Sequence, residues 1–241
     1  MNSHPTNLSR KTFDLAASGM ALLALVLFAT VVANSQQLQK GVSVEMAPTT
    51  NALPMPAADN LNAWIVTVTA DGQLWFGTNP VSQDDLIAEM IRTPRNRGQN
   101  LYVKADARAP YAAVASALKA AQTAKFDAPV LLTAQTVSIP PGTMIPPQGL
   151  QIWLGSESAS DGSSVLIELL TSKSDSPALR INGHAISGND LKTAVEQLFH
   201  GRTEKIALLR TDGTVPFARV AQVIDACQSV GAKVVLPTPQ I

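Results

Sequence analysis

The feature that most constrains this chain is an uncharged apolar segment at residues 15–33, LAASGMALLALVLFATVVA. As a helix that rises about 1.5 Å per residue, it extends about 28 Å, close to the roughly 30 Å of a bilayer's hydrocarbon core. Lipid offers the backbone no hydrogen bonds, so such a segment crosses a membrane as a helix. Arg10 and Lys11 precede it. The positive-inside rule therefore places residues 1–12 in the cytoplasm and the chain after Ala33 outside.

Two other interpretations of this segment stay open. Val31-Val32-Ala33 before Asn34 forms a small-residue site at which a signal peptide could be cleaved, although the apolar run exceeds the usual 7–15 residues, roughly, of a signal peptide. A buried helix of a soluble domain is the third interpretation, but the segment shows no polar face. A transmembrane helix and a signal peptide would both place most of the protein outside the cytoplasm. We predict an uncleaved transmembrane helix at residues 13–33.

Composition excludes several functional classes. The chain has 18 Lys and Arg against 18 Asp and Glu, so it lacks the basic surface that nucleic-acid binding requires. Its one cysteine, Cys227, excludes an intramolecular disulfide, and the apolar helical pattern around it predicts a buried structural thiol. His4, His184 and His200 are scattered and make no metal-ligand pattern. No metal and no cofactor are predicted.

Residues 62–136 have the pattern of a small α+β domain. The predicted elements, in order, are strands at 64–69 and 73–76 around an Ala70-Asp71-Gly72 turn, a helix capped by Ser82, a strand at 100–106, a helix opening at Pro110 and a strand at 128–133. Polar capping residues, proline at a helix start and alternating β-branched residues support these assignments. The order ββαβαβ predicts two helices on one face of a small mixed sheet, an α+β sandwich.

The same order of elements recurs in residues 164–241. Ser187 repeats Ser82 as a helix cap, 105 residues later, and Pro216 repeats Pro110. The sequence therefore predicts two tandem domains of the same type. Residues 34–61 and 137–163 contain proline-rich stretches and are predicted to be linkers. Each also contains a short alternating run, at 41–46, which could pair as a strand, and at 149–154.

This ordered set, joined to the apolar segment, resembles the ExbD/TolR family of energy-transducing membrane proteins. The resemblance covers most of residues 13–136 and, more loosely, residues 164–239 as a divergent second copy. The stretches that carry it are ADGQLWFGTNPVSQDDL, LYVKADARAPYAAV and APVLLT in the first copy, and RINGHAISGNDL, LLRTDGTVPFARV and GAKVVLP in the second.

The resemblance implies a single-pass subunit of the bacterial inner membrane, with a cytoplasmic amino terminus and two periplasmic domains. It implies a polytopic ExbB/TolQ/MotA-like partner that encloses a dimer of these helices and uses the proton motive force. The outer partner it implies is a TonB/TolA-like transducer or peptidoglycan, and the role is force transmission in biopolymer transport rather than catalysis. The alternative is a membrane-anchored or secreted periplasmic binding module without proton coupling.

The resemblance also implies a proton-carrying aspartate near the cytoplasmic end of the helix, and Asp14 is the only candidate. A carboxylate at such a place is functional by default. This sequence lacks the proline of the family's pattern, and Lys11 lies one turn away; aligned on Phe28 instead, the position falls at Ser18-Gly19, which has no carboxylate. The alternative interpretation of Asp14 is a helix-start residue favoured by the helix dipole.

Two further aspartates, Asp106 and Asp212, follow corresponding strands of the two predicted domains. Because they belong to different domains, we interpret them as caps of the following loop or helix rather than as an acid–base pair. No nucleophile and base are paired in the sequence, and an enzyme is not predicted. The tryptophans are interpreted as core or interface residues: Trp64, Trp75 and Trp153.

Overall fold

A computed structural model describes residues 42–93, 99–136, 146–155, 164–172 and 177–237. These residues belong to one compact unit, which contains two mixed β-sheets. The predicted tail at 1–12 and transmembrane helix at 13–33, with Asp14, lie outside the described residues. Within the part of the chain that is described, no helix is long and apolar enough to cross a membrane.

The first half of the molecule, residues 42–151, builds one sheet and two helices. Its elements are β1 (Pro48–Thr49), β2 (Leu53–Pro54), β3 (Trp64–Val68), β4 (Leu74–Phe76), β5 (Asn79–Val81), α1 (Gln83–Arg92), β6 (Leu101–Ala105), α2 (Tyr111–Thr123), β7 (Val130–Gln135) and β8 (Gln148–Gln151). The sheet order is β2-β8-β7-β6-β3-β4-β5, and β1 pairs with the end of β7. Strands β3, β6 and β7 are parallel, and β3-β4-β5 is an antiparallel meander.

The second half, residues 153–237, builds the other sheet and two more helices. Its elements are β9 (Trp153–Gly155), β10 (Val165–Leu170), β11 (Ala178–Ile181), β12 (His184–Ile186), α3 (Leu191–Phe199), β13 (Ile206–Thr211), α4 (Phe217–Ser229) and β14 (Lys233–Pro237). The sheet order is β12-β11-β10-β13-β14-β9. Five strands of each sheet therefore follow one order, since β5-β4-β3-β6-β7 corresponds to β12-β11-β10-β13-β14.

Within the stretch of each half that corresponds to the predicted ββαβαβ order, there is one additional strand. The extra strands, β5 and β12, fold back on β4 and β11 as short edge strands. Tight turns make this possible, because Gly77 (φ 61°) and Gly183 (φ 83°) adopt the left-handed conformation that glycine tolerates best. Pro80 is accommodated in β5 because an edge strand needs no donor on its free side.

One apolar core continues through both halves. In β3, Trp64, Val66 and Val68 belong to this core, while the alternate residue Ile65 faces the opposite side of the sheet. The helices of each half lie against the core-facing side of its sheet, and α2 of the first half contacts α4 of the second. The two halves therefore share their hydrophobic interior.

Residues 42–61 carry more regular structure than the proline pattern of a linker predicts. They provide β1, β2 and a 3-10 turn at Pro56–Asp59. Met46 and Met55 pack on the outer face of the first sheet, against Ile65 and Tyr102 among others. That face is apolar and would otherwise meet water, so an extended segment with prolines stabilises the sheet by covering it.

The stretch between the halves also contributes to both sheets. Residues 148–155 fall within the predicted linker at 137–163, yet β8 pairs with β7 and β9 pairs with β14. Only Ile152 separates the two strands, and its side chain is fully buried in the core. The chain thus passes directly from one sheet to the other.

Candidate functional site

The candidate site is the junction at which the amino-terminal ends of α2 and α4 meet. Pro110 and Pro216 directly precede these helices and form an antiparallel bridge with each other. Proline fixes a helix entry but offers no side-chain acceptor for the first free N–H groups of the helix. Neither helix receives a side-chain cap. The acceptors must come from elsewhere.

The first helix, α2, is capped by the second half. The Tyr111 N–H donates to the Val215 carbonyl at 2.9 Å, and the Ala112 N–H donates to the Gly213 carbonyl at 2.8 Å. Both acceptors belong to the loop between β13 and α4. A β-carbon on Gly213 would lie 3.0 Å from the Ala112 β-carbon, so a larger residue would push the loop away from the helix.

The second helix, α4, is capped by the first half in the same way. The Phe217 N–H donates to the Ala109 carbonyl and the Ala218 N–H donates to the Ala107 carbonyl, both at 2.9 Å. Each of these residues lies 106 positions from its counterpart in the first set of bonds. The junction therefore has the reciprocal arrangement of a two-fold symmetric interface, made within one chain.

Apolar side chains seal the junction. Tyr111 and Phe217 occupy equivalent positions, with exposed fractions of 7% and 0%. Burial raises the pKa of the Tyr111 phenol above its ordinary value. The hairpin turn of the first half also reaches the junction, because a β-carbon on Gly72 would lie 3.2 Å from that of Ala113. Gly72 has φ 86°, which glycine adopts without strain.

Asp106 holds the loop that provides two of these carbonyl groups. Its carboxylate accepts from the Arg108 N–H and Nε at 3.0 Å each, and from the Glu45 N–H at 3.2 Å. The bond from the Arg108 side chain is the main cause that holds the pKa of Asp106 below its ordinary value. The side chain is buried, at 4% exposure. Asp106 is thus a loop-ordering residue, as predicted.

Asp212 has the corresponding place in the second half. Its carboxylate accepts from the Thr171 N–H at 2.7 Å, and the Thr171 and Thr214 hydroxyl groups lie 2.7 Å apart. The structure gives both aspartates local hydrogen-bonding roles. It does not bring them together as an acid–base pair.

Other residues singled out in the sequence have structural places. Cys227 is a free, buried thiol, as predicted, and burial raises its pKa to about 12. Trp64 packs in the core against Phe76 and Phe126, with ring centroids 5.6 and 5.5 Å apart, respectively. The Lys233 ammonium lies over the Trp153 ring. His184 and His200 are exposed, whereas His4 and Asp14 lie outside the described residues.

Sequence reasoning missed the most connected carboxylate of the second half, Asp225 on α4. It accepts from Asn51 N–H at 2.7 Å and from the Thr50 hydroxyl at 3.0 Å, 174 and 175 residues away. No local pattern marks such a contact. The junction itself had a visible signal, because proline followed by an aromatic residue opens a helix in both halves, at Pro110 and Pro216.

Comparison with known proteins identifies a family. A family model described as Biopolymer transport protein ExbD/TolR matches residues 16–136, about half of the chain. The match runs from the apolar segment through β7. No curated protein matches the chain.

Proposed function

The chain belongs to the ExbD/TolR family of biopolymer transport proteins, and we propose that it is a single-pass inner-membrane subunit of a proton-motive-force-driven transport complex. Members of this family are non-enzymatic transport proteins that associate with the inner membrane and work with ExbB/TolQ partners. For this chain, the proposed partner is a polytopic protein of the ExbB/TolQ/MotA type. The outer partner would be a TonB/TolA-like transducer or peptidoglycan.

The observation that carries this proposal is the range of the family match. It begins at residue 16, inside the apolar segment, and continues through the first sheet to residue 136. The apolar segment and the folded half are therefore matched together and in the family's order. This supports a transmembrane helix at 13–33, a cytoplasmic amino terminus and a periplasmic location for both halves.

We further propose that the second half is a divergent copy of the first and that the two copies form a pair within one chain. Three observations support this: the common order of five strands, the helices at corresponding places, and the reciprocal bonds at the junction with their 106-residue spacing. This pair would replace the contact between two separate subunits. One chain would then supply two periplasmic domains and one transmembrane helix.

The second candidate function is an anchored or secreted periplasmic binding module without proton coupling. One observation favours it, namely that the family match starts two residues after Asp14. The only carboxylate available for a proton pathway thus lies outside the matched range. In this alternative the folded halves act alone, and their periplasmic ligand defines the function.

Purification from native membranes in mild detergent, followed by mass analysis of the complex, tests the proposal. A polytopic membrane protein in stoichiometric amount is the expected result. A chain that purifies alone, or that begins at Asn34, would contradict the proposal and favour the binding module.

The role of Asp14 needs a separate experiment. If it carries protons, Asp14→Asn abolishes the cellular phenotype while the chain stays at its normal level and keeps its partner. Phe13→Leu is a matched control, because it changes a neighbouring residue without altering charge. An active Asp14→Asn variant would remove Asp14 from the mechanism.

A further inference from the structure

The segment that connects the amino-terminal region to the folded halves is fastened at both ends by carboxylates. We call residues 45–51 the strap. At its first end, Glu45 donates its N–H to Asp106 at 3.2 Å, and the Glu45 carbonyl accepts from the Ala107 N–H at 2.7 Å. The Glu45 side chain itself is largely exposed, at 77%. This end of the strap is attached to the first half, beside the junction.

The middle of the strap pairs with the end of β7, an inner strand of the first sheet, and Ala47 and Thr49 are buried there. The Ala47 carbonyl accepts from the Ala134 N–H at 3.0 Å, and the Thr49 hydroxyl donates to the Thr133 hydroxyl at 2.7 Å. Strand β1 pairs here with only two residues of β7. Two-residue pairing adds few hydrogen bonds, so the ends of the strap contribute most of its polar attachment.

The last end of the strap is attached to the second half. Asp225 accepts from the Thr50 N–H at 3.2 Å and from the Thr50 hydroxyl at 3.0 Å. It also accepts from the Asn51 N–H at 2.7 Å and from the Asn51 side-chain amide at 3.1 Å. All these bonds are exposed to solvent, and bonds to a charged acceptor are stronger than neutral ones. One carboxylate therefore holds two consecutive residues of the strap.

The outer face of the first sheet, on which Met46 packs, is not entirely apolar. It also carries Lys104 and Thr67, which are cross-strand neighbours. The Lys104 side chain is only 3% exposed and makes no hydrogen bond or ion pair among the described residues, but its ammonium keeps contact with solvent. The Thr67 hydroxyl, also within the described part, has no partner. Buried polar groups without partners cost free energy.

In the second half, the position that corresponds to Thr67 and Lys104 carries two oppositely charged residues. Glu168 and Arg210 are cross-strand neighbours in β10 and β13, where Thr67 and Lys104 stand in β3 and β6. Their charged groups form an ion pair at 3.4 Å. The first half has a cation at the corresponding position but lacks the carboxylate.

We propose that the strap is a releasable clasp between the two halves, which opens as a unit while both sheets remain folded. The bonds at Asp106 and Asp225 close it, and it opens locally because the bonds at Asp225 are exposed to solvent and β1 pairs with only two residues of β7. Because the strap is the connection to the amino-terminal region, tension from that side reaches Asp106 first and Asp225 last. The source of that tension rests on the proposed membrane function, whereas the opening itself does not.

Amide hydrogen exchange on the purified 241-residue chain in detergent tests the proposal. In the unmodified chain, the amides of residues 45–51 exchange faster than those of β6 and β13, because the strap opens without global unfolding. Asp225→Ala raises exchange at Thr50 and Asn51 at least tenfold and leaves β10 and β13 unchanged. Glu196→Ala, which removes an exposed helix carboxylate from the same half, is the matched control and leaves the strap unchanged.

Asp225→Asn is the milder variant should the alanine variant fold poorly, and it raises exchange at the same two amides by a smaller factor. Strap amides that exchange only together with both sheets, or that ignore Asp225, would overturn the proposal. Either result is independent of which membrane partner the chain binds.

Discussion

The two halves of this molecule agree at the junction and differ on their outer faces. At the junction, the first N–H groups of α2 and α4 donate to equivalent carbonyl groups of the other half, and Tyr111 and Phe217 occupy equivalent positions. On the outer face, Lys104 of the first half has no carboxylate partner among the described residues, whereas the second half presents the Glu168–Arg210 ion pair. The comparison indicates that fewer substitutions are compatible with the junction than with the outer faces of the sheets. At the junction, each half completes the helix caps of the other.

The largest expected effect comes from breaking the junction at its most buried side chain. Phe217→Ala removes a fully buried aromatic ring and should lower the free energy of unfolding by about 3–5 kcal/mol. Denaturant unfolding of residues 40–241 measures it. Because the halves share one core, we expect a single transition that shifts as a whole. Two transitions, of which only one moves, would show that the halves are independent.

The next effect compares the two strand-end aspartates. Asp106→Asn should cost about 2 kcal/mol, because a buried carboxylate loses charged hydrogen bonds, and Asp212→Asn about 1 kcal/mol, because that carboxylate is exposed. The pKa of Asp106 is lowered in the folded state. Its contribution is therefore complete above the unfolded value of about 3.9 and disappears as the pH falls through the folded pKa.

Denaturant unfolding at pH 7 and at pH 2.5 checks this prediction. The difference between the unmodified chain and Asp106→Asn should shrink at the lower pH. A stability difference that is the same at both pH values would contradict this account of the loop. So would a larger loss of stability in Asp212→Asn than in Asp106→Asn.

A smaller effect tests the outer faces. Lys104→Met should stabilise the protein by up to about 1 kcal/mol, because it removes a partly desolvated cation that has no partner among the described residues. Arg210→Met should change stability by less, since that ion pair is partly exposed. Burial lowers the pKa of Lys104, so the unfolded chain binds more protons between the folded pKa and about 10.4.

The contribution of Lys104 to stability should therefore rise with pH across that window, and the advantage of Lys104→Met should fall. Unfolding curves measured at pH 7 and pH 9.5 for both chains make the comparison, because the other titrating groups are common to both and cancel in the difference. An advantage that grows with pH would contradict the lowered pKa of Lys104.

The smallest effect compares the caps of α1 and α3. Ser82 accepts from the Asp85 N–H at 3.1 Å and donates to the Asp85 carboxylate at 2.6 Å. Ser187 accepts from the Asn189 N–H at 3.4 Å, in a 3-10 turn that precedes the helix. Ser82→Ala should cost about 1 kcal/mol and Ser187→Ala a few tenths. Equal losses in denaturant unfolding would show that the two caps are equivalent.

Local chemistry in the sequence was enough to predict much of each half. Ser82 and Pro110 mark helix starts, and a run of β-branched residues marks the buried strand β3; all of these are confirmed. The mixed sheet with two helices on one face was also predictable, because two helices and their neighbouring strands share one core. These features depend on residues close together in the chain.

The remainder depends on contacts that no local pattern records. Residues 47–60 have the composition of a linker, yet they cover an apolar face that exists only after the first sheet has formed. The bonds of Asp225 join residues 174 and 175 positions apart. The reciprocal caps are made by backbone carbonyls, which any residue has. The only sign of them in the sequence is the proline before each helix, which offers no side-chain cap.

The central claim is that the two halves pair with each other within one chain. Sedimentation equilibrium, which measures the mass of residues 40–241 in solution, tests it most directly. This fragment contains the strap and both halves, which belong to one compact unit. If the two halves pair with each other within the chain, the junction is already occupied and the fragment sediments as a monomer at every concentration. A stable dimer that dissociates in Phe217→Ala would show that the junction joins two chains, and it would contradict the account.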